Sequence, residues 1–467
     1  MKGIIKIYLG FCLSMLSLAL LLGTLSSFAA LYPGIFNEYL PFYQLRPMHV
    51  SAVLFWLIGS AAGGILWYKK DVFGLKRNPS TSDTVFMATW MLTVVAIFGF
   101  YAFKKFGGRE YWEFPPFLCV PILAAWLFLM WGYYTSWRTR PKNPPLYVWM
   151  WTTGVVFFLI TFLEQNLYQI SWFRQSFLRE LTVQWKSNGA MVGAWNQMIY
   201  GTSLFIMVKM TGDVQIAKSK KAFFFYFLGL TNLMFNWGHH LYNLPTSSWV
   251  RHVSYAVSMT EWVLLISILQ GFRKKAAEQG KDSFSFSYKL LMAAEYWVLI
   301  NLILALGMSI PAINRYTHGT HITVAHAMGA TIGINTMILL ASFGYMLKVD
   351  MLPEKNRKQL STGFIITQVS LAVFWLALVT AGIVKGYREI VVGVADYREL
   401  MLPVNRILHV FAFAGLGLFT GINIIVYHYM RALKGRHRQS HQILESPGDG
   451  NEQKAPRKRA KENNVTA

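Results

Sequence analysis

Apolar runs of about 20 residues recur at nearly regular intervals along this 467-residue chain. A helix needs about that length to cross the roughly 30 Å hydrocarbon core of a bilayer. Twelve runs can be marked, at 7–30, 46–68, 83–103, 115–135, 146–166, 188–208, 221–242, 250–271, 286–309, 321–347, 362–384 and 403–429. The chain is 54% hydrophobic and 14% charged, a balance that needs lipid as solvent and excludes a soluble multi-domain protein. The expected fold is an all-α integral membrane bundle of twelve helices over residues 1–430. A basic, polar tail follows at 431–467, expected to be disordered and to touch anionic headgroups. The first run follows Lys2 and Lys6 and ends in SSFAA, like a signal peptide. Its apolar part is too long for that, so it reads as an uncleaved anchor.

The net charge of +23 invites a nucleic-acid partner, but the distribution argues against one. With the N-terminus inside, cytoplasmic segments hold 31 of the 44 Lys and Arg. That is the positive-inside bias of a membrane protein, and it places both termini in the cytoplasm. Cys12 and Cys119 lie in or near apolar runs and suggest neither a disulfide framework nor a thiolate site.

Ionisable side chains inside a membrane are costly and point to function. The adjacent pair His239-His240 closes the seventh run, in FNWGHHLYN. With the orientation above, His49, Asn188, His239, His240 and His326 all fall toward the outer face. A lone histidine there is more often bonded to a loop carbonyl; a set at one depth suggests metal. Two adjacent imidazoles at a fraying helix end can turn to one metal. His326 and Met328 are about 200° apart around a helix and point to opposite flanks. Imidazole suits iron, copper or zinc, and heme iron takes axial His or His with Met. Met328 alone would ordinarily be packing.

The motifs LRPMHV at 45–50, GGREYWE at 107–113, WGHH at 237–240, SMTE at 258–261 and YTHGTHITVAH at 316–326 carry a resemblance. The chain resembles the large catalytic subunit of bacterial nitric oxide reductases, in the heme-copper oxidase superfamily. That resemblance implies a twelve-helix bundle of subunit I type, two b-type hemes and a non-heme metal, expected to be iron. His326 would be the proximal ligand of the high-spin heme, and His239 and His240 two ligands of the metal facing it. His49 would be an axial ligand of the low-spin heme. Glu110 would bind a calcium ion, Glu113 would be a second acid nearby, and Glu261 would deliver protons. Nitric oxide would be the substrate and the bacterial inner membrane the location. No Cys-x-x-Cys-His motif is present, so a separate donor subunit, such as a cytochrome c, would supply electrons.

Three departures stand beside these matches. Asn188 falls where the family has a third metal-binding His, and Val192 where it has a Glu. Met328 falls where it has the second axial His of the low-spin heme, with His321 an alternative ligand. A neutral amide at Asn188 would be a weak ligand, and His-Met ligation raises a heme potential. Tyr255 is a distant candidate for the phenol found in one oxidase branch. These departures keep NO dismutation, oxygen reduction and a catalytically degenerate subunit open. A twelve-helix transporter without hemes is a rival from another class, although no related halves are visible.

Overall fold

The structure, a computed structural model, describes residues 3–35, 39–75, 79–267 and 285–445. Among them the only β feature is a single bridge between Arg109 and Trp112. The main helices in chain order are α1 (Ile4–Leu31), α2 (Phe42–Phe73), α3 (Thr81–Ala102), α4 (Cys119–Trp137), α5 (Leu146–Gln165), α6 (Phe177–Thr211) and α7 (Lys220–Phe235). They continue as α8 (Ser248–Met259), α9 (Phe286–Ser309), α10 (His321–Leu347), α11 (Glu354–Gly386) and α12 (Tyr397–Glu445). Serine and threonine mark many of the entries. Ser80 and Asp83 cap α3 reciprocally, and Ser176, Ser219, Ser285 and Thr320 accept backbone N–H bonds at the starts of α6, α7, α9 and α10.

Nine helices among the described residues are long and apolar enough to cross a membrane. The expected count of twelve is not reached, and the shortfall lies in three neighbouring runs. Run 188–208 lies within α6, which is long but carries Arg179, Glu180, Lys186 and Asn188. Run 221–242 gives the 16-residue α7, which tightens into a 3₁₀ segment at Asn236–Leu241. Run 250–271 gives the 12-residue α8, which turns at Thr260, and its end at 268–271 lies outside the described residues. These are the elements that carry Asn188, His239, His240 and Glu261, so polarity and broken helices coincide with the candidate site. Irregular backbone at membrane depth is tolerated where protein surrounds it. The tail expected from Arg431 begins as a continuation of α12, and residues 446–467 lie outside the described residues.

Helix α2 runs through the centre and is buried over most of its length. It packs on α1, while α5 packs on α6 and α11 on α12. Trp56 donates to Thr336 at 3.0 Å and Tyr68 to the Ser342 carbonyl at 3.1 Å, tying α2 to α10. Near the other end of α2 from His49, Lys69 and Asp83 form a 2.6 Å ion pair with side chains 2% and 3% exposed. Helix α10 widens into a π-helical stretch, Gly329–Thr336, directly after Met328. Such widenings are frequent at functional sites.

Candidate functional site

The 3₁₀ segment Asn236–Leu241 presents His239 and His240 side by side, with ring centroids 4.3 Å apart. Glycines let α6 approach this segment. A Cβ on Gly189 would lie 2.9 Å from Trp237, and one on Gly193 would collide with Leu233. Four residues before Gly189, Trp185 stacks on His240 with centroids 5.0 Å apart and planes 12° from parallel. The Ser258 hydroxyl lies 3.4 Å from His239 Nδ1. This pair therefore has one face fixed by packing and one ring nitrogen fixed by a hydroxyl.

The fold brings distant histidines to this pair. His239 interacts electrostatically with His240, His326 and His318, and His240 with His326 and His318. His326 lies in the α-helical first part of α10, near the Asn301 backbone, and its Nδ1 makes no well-formed hydrogen bond. Met328, on the opposite flank, packs against the main apolar core. Sequence reasoning missed His318 and Trp185. The signal for His318 was Gly319, whose φ of +71° turns the chain into the Thr320 cap of α10. Burial lowers the His318 pKa from its ordinary value, which favours neutral imidazole.

His49 lies on α2, one turn after Arg46 and two residues after Pro47. Its Nδ1 is 2.8 Å from the Ala19 carbonyl, and its ring fits against Gly23, where a Cβ would come within 2.7 Å. That bond assigns the proton to Nδ1 and leaves the Nε2 lone pair free, the usual arrangement of a metal-binding histidine. His321, the alternative ligand, opens α10 beside Lys385, and its Nδ1 has no partner. Tyr255 is exposed on α8.

Asn188 is buried on α6, but its oxygen is engaged. Gln165 donates to Asn188 Oδ1, and Trp112 donates to Gln165 Oε1. The atom expected to face a metal thus accepts from a neighbour, and Nδ2 is left without a partner. Val192, one turn on, packs against the core.

Glu261 stands at the start of the helical turn after α8. Its carboxylate interacts with the Asn236 side chain and lies near Tyr200. Asn236 opens the segment carrying the histidine pair, and its carbonyl accepts from Ser254 at 2.6 Å. Glu261, Asn236, Ser254 and Ser258 therefore line a polar strip ending at His239.

Glu110 and Glu113 sit in the loop between α3 and α4, 2.9 Å and 3.1 Å from the two arms of Arg46. Burial pushes the Glu113 carboxyl above its ordinary value, and Arg46 pulls it back. Arg46 pairs with Oε1 of each carboxylate, and Glu113 Oε2 is left buried without a hydrogen-bond partner among the described residues. Among the described residues no three His, Cys, Asp or Glu side chains form one metal-holding group. The donor set does fit hemes with a second metal. It offers two adjacent imidazoles, a third imidazole within electrostatic reach whose Nδ1 has no well-made bond, and a His49 nitrogen left free.

Residues 3–420 match the family model of cytochrome C and quinol oxidase polypeptide I. The chain belongs to that family, subunit I of the heme-copper oxidases, and is a multi-pass membrane oxidoreductase. It is 20% identical to a nitric oxide reductase subunit of Stutzerimonas stutzeri, over 85% of this chain and 87% of that protein. It is 21% identical to cytochrome c oxidase subunit 1 of Rhodobacter capsulatus, over 78% of this chain and 71% of that one. A solved heme-copper terminal oxidase dimer shares the fold, with a TM-score of 0.68 at 13% identity, covering 93% of this chain and 84% of that chain.

Proposed function

We propose that this protein reduces nitric oxide to nitrous oxide in a bacterial inner membrane, with electrons from a separate donor such as a cytochrome c subunit. The observation that carries this reading is the grouping of His239 and His240 with His326, in a chain similar over 85% of its length to a nitric oxide reductase subunit. The overall reaction joins two NO molecules with two electrons and two protons, giving N₂O and water. His326 would hold one b-type heme, His49 and Met328 the other, and His239 with His240 a non-heme iron. When bound, these groups supply the electrons and the surface on which two NO molecules meet. Glu261 would hold a proton at its carboxylate, at the head of the polar strip of Asn236, Ser254 and Ser258 that ends at His239. The stacked Trp185 would orient His240, and the Ser258 hydroxyl would hydrogen-bond Nδ1 of His239. Both termini would lie in the cytoplasm, and the bundle would be the twelve-helix type with α6, α7 and α8 as its polar, interrupted members.

A second reading, oxygen reduction, is favoured by the equal likeness to cytochrome c oxidase subunit 1. The first test is purification followed by optical spectroscopy and metal analysis. Two b-type hemes and one further iron per chain support the reading; a purified protein without heme bands overturns it.

A further inference from the structure

Asn188 is fixed in polarity by a residue of the loop between α3 and α4, acting through Gln165. An indole Nε1 carries a hydrogen and no lone pair. The Gln165 amide atom that faces Trp112 must therefore be its oxygen, which turns Nε2 toward Asn188. The Asn188 atom meeting that N–H must in turn be oxygen. The two ends of an amide cannot be told apart by shape, but a donor-only neighbour assigns both side chains here. What remains is the Asn188 Nδ2 group, on a residue 2% exposed, with no acceptor among the described residues. It lies on the stretch of α6 where Trp185 stacks on His240 and Gly189 backs onto Trp237.

We infer that Asn188 donates a hydrogen bond to the substrate held beside His239 and His240, and does not ligate the metal. Trp112 and Gln165 are positioning residues that keep the amide turned with its nitrogen inward. A buried N–H is costly to leave unpaired, and an oxygen atom of a bound N–O or O–O species would satisfy it. An amide free to flip would offer the metal its oxygen; the Trp112–Gln165 chain prevents that flip. This inference rests on the proposed function, because it needs a substrate at the histidine pair.

The test uses the purified, reduced holoprotein with carbon monoxide as a probe, read by infrared spectroscopy. A donor near the probe's oxygen lowers the C–O stretch. Asn188→Leu, similar in shape but without a donor, should raise that frequency while non-heme metal content stays unchanged. Trp112→Phe should split the band in two, one component at the wild-type position and one near that of Asn188→Leu. Gln165→Leu serves the same purpose if Trp112→Phe fails to fold. Loss of non-heme metal in Asn188→Leu would make Asn188 a ligand and overturn the inference. An unchanged frequency would show that the amide does not face the site. Wild-type protein that binds no carbon monoxide would remove the proposed function itself, a failure distinct from either of these.

Discussion

Removing one partner of the Lys69–Asp83 pair should destabilise the protein far more than removing both. The two groups sit 2.6 Å apart and almost fully enclosed, so a charge left alone has no water to turn to. Breaking a buried pair in this way costs about 3–5 kcal/mol. Asp83→Asn isolates that effect, because an amide oxygen can still accept from the Ser80 N–H and keep α3 capped. Lys69→Met removes the cation but keeps an apolar stem, and also gives up the 3.2 Å bond to the Gly132 carbonyl. That bond contributes about 1 kcal/mol. The double change leaves no uncompensated charge and should lie within about 1–2 kcal/mol of the wild type. Unfolding in detergent micelles, followed by far-ultraviolet circular dichroism against denaturant, measures all four proteins. If the two single costs simply add in the double variant, the pair is not coupled and the reasoning fails.

The other predictions concern the site and its outer loop. His239→Ala and His240→Ala should each abolish turnover and lower non-heme metal content with both hemes retained; normal activity in either would remove the pair from the site. His326→Ala should lose the high-spin heme and keep the low-spin one, and equal loss of both by pyridine hemochrome analysis would contradict the assignment of flanks. Met328→His should keep a low-spin heme and lower its potential in a redox titration, since a thioether favours ferrous iron more than imidazole does. Glu113 binds its proton more tightly in the folded protein than in the unfolded chain, so it subtracts stability as pH rises from its ordinary value through its raised one. Glu113→Gln should flatten that dependence in unfolding midpoints measured across weakly acidic pH, and Arg46→Gln should move the window upward.

Much of the fold was legible because lipid imposes a strong rule on sequence. Runs such as 286–309 and 321–347 coincide with α9 and α10, since a crossing helix must be apolar throughout and about 20 residues long. The same rule failed where function intervenes. The polar α6, the 3₁₀ break at Asn236 and the turn at Thr260 lie in the elements that carry the candidate site residues, where polar side chains interrupt the apolar run. The histidine pair stood out in the sequence because two adjacent imidazoles, matched in depth by other polar residues, favour a metal over bonds to loop carbonyls. The meeting with His318 and the Trp112–Gln165–Asn188 chain was not. Those contacts join residues tens of positions apart, and no local period or spacing encodes them. Arg46 was invisible as the partner of Glu110 and Glu113 for the same reason.

The most direct measurement of the central claim is the product gas. Purified protein, given a reductant and isotopically labelled nitric oxide without air, should consume NO and release labelled N₂O, with two electrons drawn per N₂O formed. Release of N₂ and O₂ without electron uptake would make the protein a dismutase. Rapid oxygen uptake with no consumption of NO would make it an oxygen reductase, and either result would contradict the account.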